Sequence, residues 1–146
     1  MKPEAAIHLV VGVDDDFRVR ESIESLVESA GYTVLVFSSA EEFLQSGALA
    51  RTICLVTDVR MPGMDGIELQ RRIRLERPEL PVIFISAHQD EEARQRALDG
   101  GAIAFLYKPF DAAELLGAIE GALNNSSRVA PTDATLLGRG KQELGD

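Results

Sequence analysis

The chain has 146 residues, 45% of them hydrophobic and 27% charged, the balance of one ordinary globular domain with room for a core. Its 24 acidic and 15 basic residues leave a net charge of −9, which argues against direct nucleic-acid binding and against docking on an anionic membrane surface. The single cysteine, Cys54, lies in an apolar run; it cannot form an internal disulfide and reads as a small buried hydrophobe.

The amino terminus, Lys2 followed by AAIHLVVGV, mimics a short signal peptide but runs into DDD without a small-residue cleavage site. No apolar stretch reaches the roughly 18 residues of a membrane span. A cytoplasmic location is expected.

Five apolar runs of strand length follow in order: IHLVVGV (7–13), YTVLVF (32–37), ICLVT (53–57), PVIFIS (81–86) and AIAFLY (102–107). None alternates clearly, which predicts strands buried on both faces. The segments between them have helical spacing. Val19, Ile23, Leu26, Val27 and Ala30 share one face, and Gly31 is the natural stop. Ser39 with Glu42 predicts a capping box that opens a second helix. Leu69 and Ile73 lie one turn apart, and Pro78 ends that third helix. Residues 90–99 form a polar helix closed by Gly100 and Gly101. Asp111 with Glu114 predicts a second capping box, ahead of Leu115, Leu116, Ile119 and Leu123.

Five strand–helix units predict an α/β fold, a doubly wound five-stranded parallel sheet with flavodoxin-like order 2-1-3-4-5. From Asn124 the pattern gives way to a polar, Gly-dotted segment with only Leu136 and Leu137 as an apolar pair. Residues 1–123 therefore read as the domain, and 124–146 as a disordered tail or linker.

In such a sheet, function gathers at the carboxyl ends of the strands. There the chain places Asp14, Asp15 and Asp16 after the first strand, Asp58 at the third, Ser86 at the fourth and Lys108 at the fifth. Each has a plain reading alone. The acidic triplet caps a helix, Asp58 begins a turn, Ser86 is a cap and Lys108 is a surface lysine. Together, clustered carboxylates repel one another unless a cation joins them, and Mg²⁺ favours such oxygen ligands. A carboxylate beside Mg²⁺, an ammonium and a hydroxyl points to phosphoryl transfer onto Asp58. Lys108 and Ser86 would each meet a phosphoryl oxygen. Pro62, Gly63 and Gly66 would shape the loop, and the Arg60 carbonyl is a candidate metal ligand.

The stretches VDDDFRVRES, DVRMPGMDG, PVIFISAH and FLYKPF, in this order, resemble the receiver domains of two-component response regulators. DVRMPGMDGIELQRRI and GYTVLVFSSAEEFL are most similar to the FixJ-type subgroup. The resemblance covers about residues 6–123. It implies that Asp58 is the phospho-acceptor and that Asp15, Asp58 and the Arg60 carbonyl bind Mg²⁺ directly, with Asp14 acting largely through water. It implies a switch hydroxyl at Ser86, a phosphate-binding Lys108, a switch aromatic at Phe105 and a cis Lys108–Pro109 peptide. Arg60 and His88 would tune the phosphate lifetime; without that role both are solvent-exposed. The donor would be a sensor histidine kinase or phosphotransfer protein. The responding surface would be the fourth helix, fifth strand and fifth helix, engaging a downstream protein or forming a phosphorylation-dependent homodimer.

No helix-turn-helix pattern follows residue 123, so the chain reads as a stand-alone receiver or a fragment of a larger regulator, with the first favoured. Two positions depart from expectation, Gly12 within the first strand and Thr57 before the acceptor. His8 reads as an ordinary residue of the first strand. The rival readings are a phosphorylation-independent interaction module on the same fold and a Mg²⁺-dependent aspartyl phosphohydrolase. The second rests on a faint resemblance of Asp14-x-Asp16 to haloacid-dehalogenase phosphatases, from which Arg18 departs. A dinucleotide site lacks its G-x-G-x-x-G. No turnover of a separate substrate is expected.

Overall fold

Strands and helices alternate throughout the computed structural model, which describes residues 8–129, the last five by backbone alone. The elements are β1 (Leu9–Val13), α1 (Phe17–Ser29), β2 (Thr33–Phe37), α2 (Ala40–Ser46), β3 (Thr52–Asp58), α3 (Gly66–Glu76), β4 (Val82–Ser86), α4 (Glu91–Asp99), β5 (Ala104–Tyr107) and α5 (Ala112–Val129). All strand pairs are parallel, in the order β2-β1-β3-β4-β5.

The sheet is buried on both faces, as unalternating apolar runs require. Every residue of β1 and β4 is buried, whereas the edge strands β2 and β5 are partly open. One core joins Val11, Val13, Leu55 and Phe84 to Phe43, Leu69 and Ile73 of α2 and α3. The other joins Val10, Val56, Ile83 and Ile85 to Ile23, Val27, Leu115 and Ile119 of α1 and α5. Cys54 belongs to the second core, and burial pushes its thiol up to about 12, so it is an inert hydrophobe.

Gly12 has a packing reason. A Cβ there would lie 2.9 Å from Ile23 Cγ2 and 3.3 Å from Val36 Cγ1. The missing side chain lets α1 seat Ile23 against the sheet.

Most helix signals operate as read. Asp111 and Glu114 exchange reciprocal bonds, Glu114 N–H to Asp111 Oδ1 at 2.8 Å and Asp111 N–H to Glu114 Oε1 at 3.1 Å. Ser39 caps α2, but Glu42 reaches one residue further back, accepting from the Ser38 N–H and hydroxyl at 2.8 and 2.9 Å. His8 is exposed and precedes β1 instead of joining it. A short 3₁₀ turn, Ala48–Arg51, leads into β3; Arg77 holds it by donating to the Leu49 and Thr52 carbonyls at 2.7 and 3.1 Å.

Helix α5 continues to Val129, past the expected break at Asn124. Asn and Ser are only modestly poor helix formers, and no Gly or Pro interrupts residues 122–129. The rest of the expected tail, including Leu136 and Leu137, lies outside the described residues.

Candidate functional site

Parallel pairing brings four strand ends to one edge. Val13 pairs with Thr57, Asp58 with Ile85 and Ser86 with Tyr107, so Asp14, Asp58, Ser86 and Lys108 emerge side by side. Backbone bonds continue past the strands: Val59 N–H to Ile85 O at 3.1 Å and Lys108 N–H to Ser86 O at 2.8 Å. Loop residues are thereby held at the pitch of the sheet.

The acidic triplet divides its labour. Asp16 caps α1, accepting the Arg18 N–H at 2.9 Å. Asp14 is fully buried and accepts the Asp16 N–H on Oδ1 at 2.8 Å. Asp15 is exposed at the mouth. One carboxylate oxygen from each of Asp14, Asp15 and Asp58 lies within 4.8 Å of the others. Arg20, unremarked in the sequence, donates to the Asp14 carbonyl at 2.9 Å and steadies the turn.

Lys108 reaches both buried carboxylates, Asp14 Oδ2 at 2.9 Å and Asp58 Oδ1 at 3.4 Å. Asp14 Oδ2 is buried, and the Lys108 ammonium is the partner that meets it. Burial, reinforced by the Asp14 charge, raises Asp58 from 3.8 to about 6 despite Lys108. Burial likewise raises Asp14, against the pull of the Asp16 amide and Lys108. At Lys108 burial acts to lower the value, but the Asp14 and Asp58 carboxylates together outweigh it and the ammonium is held above its ordinary range. Three carboxylates against one ammonium leave the cluster two charges short of neutral. That excess negative charge and an all-oxygen donor set fit a hard divalent cation.

The loop after β3 is shaped by contacts. The Gly66 N–H returns to the Val59 carbonyl at 2.9 Å, and a Cβ on Gly66 would lie 2.1 Å from the Asp58 carbonyl oxygen, so no other residue fits. Glu41, at the start of α2, accepts the Met64 N–H at 2.9 Å, and that bond holds its carboxyl below the usual range. Sequence reasoning missed Glu41, because nothing local to SAEEFL signals a contact with residue 64. Asp58 itself is no mere turn-former, since it ends β3 within the core. Thr57 is buried, its hydroxyl bonded to the Asp58 carbonyl at 3.1 Å.

Ser86 is buried, and its hydroxyl is occupied by its own loop. It donates to the His88 carbonyl at 2.9 Å and accepts the His88 N–H at 3.1 Å. Phe105 is half-buried, stacked on Phe84 at 6.1 Å and edge-on to Tyr107 at 5.5 Å. The Arg60 side chain is half-exposed but not solitary, forming an ion pair with Asp90. The His88 side chain is exposed, as its plain reading had it. The Lys108–Pro109 peptide is cis.

A family model, the response regulator receiver domain, matches residues 10–120. This chain belongs to that family. Among similar proteins, the response regulator protein TodT of Pseudomonas putida strain F1 is 45% identical over 111 residues, which cover 76% of this chain and 49% of TodT. The transcriptional regulatory protein FixJ of Bradyrhizobium diazoefficiens is 37% identical over 127 residues, 87% of this chain and 62% of FixJ. The chain thus spans about half the length of the curated relatives it matches. Among solved structures, the response regulator StyR superposes with a TM-score of 0.77 at 43% identity, covering 86% of this chain and 63% of StyR. A receiver domain from Clostridium thermocellum gives 0.79 at 29% identity, covering 84% and 99%. The receiver is of the FixJ type, with the family's phosphorelay signalling role. Receivers are signalling modules that interact with sensor kinases or phosphotransfer proteins. Among the described residues, no helix is long and apolar enough to cross a membrane.

Proposed function

We propose that this receiver accepts a phosphoryl group on Asp58 from the phosphohistidine of a sensor histidine kinase or phosphotransfer protein, with Mg²⁺ held by Asp14, Asp15, Asp58 and the Arg60 carbonyl. The observation that carries this is the buried Asp58 carboxylate, lying 3.4 Å from Lys108 and clustered with Asp14 and Asp15. An Asp58 oxygen attacks phosphorus, the phosphorus–nitrogen bond breaks, and the histidine imidazole leaves. When bound, the metal would neutralise charge on the phosphoryl oxygens. Lys108 stands where it can bind one of those oxygens as a point charge. Asp14 keeps Lys108 charged and orients it.

The phosphoryl group gives the Ser86 hydroxyl a stronger acceptor than the His88 carbonyl. Ser86 then leaves its loop, and Phe105 turns into the space vacated. Because the two arrangements pre-exist, phosphorylation shifts their populations. The α4-β5-α5 surface then presents a different face to a downstream protein or a second copy of the chain. The receiver would also assist its own dephosphorylation, with no separate substrate turnover, and would work in the cytoplasm.

The test is intact mass after incubation with Mg²⁺ and acetyl phosphate, beside Asp58→Asn and a chelator control. One phosphoryl adduct, absent in both controls, is expected. No adduct on folded, Mg²⁺-binding wild type would favour a phosphorylation-independent interaction module instead.

A further inference from the structure

Helix α4 is anchored unlike its neighbours. Its buried residues are Ala93 and Ala97 alone, whereas α3 buries Ile67, Leu69 and Ile73. Two methyl groups remove little apolar surface from water, so packing holds α4 weakly. Its ends are held by polar ties.

At the carboxyl-terminal end, two side chains of α3 form a clamp. Buried Gln70 donates to the Ala97 carbonyl at 3.0 Å. Arg74 donates to the carbonyls of Gly100, Gly101 and Leu80 at 3.1, 3.2 and 2.8 Å. The bonds to Gly100 and Gly101 tie α3 to the turn that closes α4, the Ala97 carbonyl also accepts the Ala102 N–H at 3.0 Å, and the bond to Leu80 anchors Arg74 itself. The clamp is also tight, since a Cβ on Gly100 would lie 2.5 Å from Gln70 Oε1.

At the amino-terminal end, both ties lead back to the phosphorylation site. The Ser86 hydroxyl binds His88 in the loop before α4. Asp90 divides its carboxylate, with Oδ1 capping the Ala93 N–H at 3.1 Å and Oδ2 paired with Arg60, two residues after Asp58. Sequence reasoning gave the Arg60 side chain no structural partner.

We propose that the Arg60–Asp90 ion pair is a latch holding the amino-terminal end of α4 at rest, with the Gln70–Arg74 clamp as the fixed point about which α4 moves when Asp58 is phosphorylated. The resting half stands on the contacts alone. The release half rests on the phosphorylation of Asp58 proposed above. A phosphoryl group on Asp58 places a second anion beside the loop that carries Arg60, in competition with Asp90 for the guanidinium, while Ser86 turns away from His88. Both site-side ties loosen together, and the clamp is untouched.

Hydrogen exchange read by mass spectrometry on the full chain tests this, with Asp90→Asn and Arg60→Gln beside wild type. Asn caps helices as well as Asp, so Asp90→Asn removes the latch and keeps the cap. Each variant should speed exchange over 88–94 by about 2- to 5-fold, the range of an exposed ion pair, and leave 97–101 unchanged. The double variant should add nothing to either single one. Acetyl phosphate with Mg²⁺ should produce the same local change in wild type. Unchanged exchange over 88–94 in Asp90→Asn, or equal speeding along all of α4, would overturn the latch. A phosphoryl adduct without loosening over 88–94 would overturn the release yet leave phosphorylation of Asp58 standing. Absence of any adduct would overturn the phosphorylation reading, and the unphosphorylated variants would still decide the latch.

Discussion

Asp58→Asn should make the metal-free protein more stable at neutral pH, although it removes the phospho-acceptor. The Asp58 side chain is 8% exposed. Its folded value is about 6 against 3.8 for a free side chain. Between those values the folded chain keeps a proton that the unfolded chain has released, so stability falls as pH rises from about 4 to about 6 and is flat above. A shift of about two units corresponds to roughly 3 kcal/mol, an upper bound because the amide forgoes the Lys108 contact. The expected gain for Asp58→Asn is therefore about 1–3 kcal/mol at pH 7.5, fading towards zero at pH 4. Asp14, raised by the same burial, steepens the pH dependence in the same direction. Urea denaturation in chelator from pH 4 to 8 measures this, provided m is unchanged between the proteins. Mg²⁺ at a hundred times its Kd should then add about 2.7 kcal/mol to wild type and much less to the variant. If Asp58→Asn is less stable than wild type at pH 7.5 in chelator, or if its gain is the same at pH 4, the account of a cation-seeking carboxylate cluster is wrong.

Other variants separate packing from chemistry. Lys108→Met leaves the buried Asp14 carboxylate without its counter-charge, and should cost about 3 kcal/mol at pH 7 in chelator, with part restored by Mg²⁺ in the same urea titration. Gly12→Ala drives a methyl against Ile23 and should cost about 1–3 kcal/mol by urea denaturation while leaving Mg²⁺ affinity near wild type. Gly66→Ala forces the loop off the Asp58 carbonyl, and Mg²⁺ titration should show weakened binding out of proportion to any loss of stability. Glu41→Ala releases the Met64 N–H and should weaken Mg²⁺ binding and slow phosphorylation by acetyl phosphate; Glu41→Gln, which keeps an acceptor there, should recover most of both.

The sequence by itself determined the number and order of the elements, the class of sheet and the residues delivered to its functional edge. These rest on local chemistry. Unbroken apolar runs such as VIFIS must be buried on both faces, Asp111 and Glu114 cap within one turn, and a carboxylate at the end of a strand stays at that end. From composition and spacing the acidic triplet was legible as a group but not in its parts, which only the family resemblance told apart, because Asp14, Asp15 and Asp16 differ only in which way the turn points them. Only the tertiary structure decided which of them is buried, which is exposed and which caps α1. It alone brought Lys108 to 2.9 Å from Asp14, across 94 positions of chain. It also decided that Glu41 holds Met64, that Arg60 meets Asp90, and that Gln70 and Arg74 grip the end of α4. Each of these joins side chains to groups far along the chain or in another element, and propensity and periodicity describe only near neighbours. The helical stretch beyond Asn124 eluded the pattern for a related reason. A helix already anchored by Leu115 and Ile119 can extend through residues that would not start one.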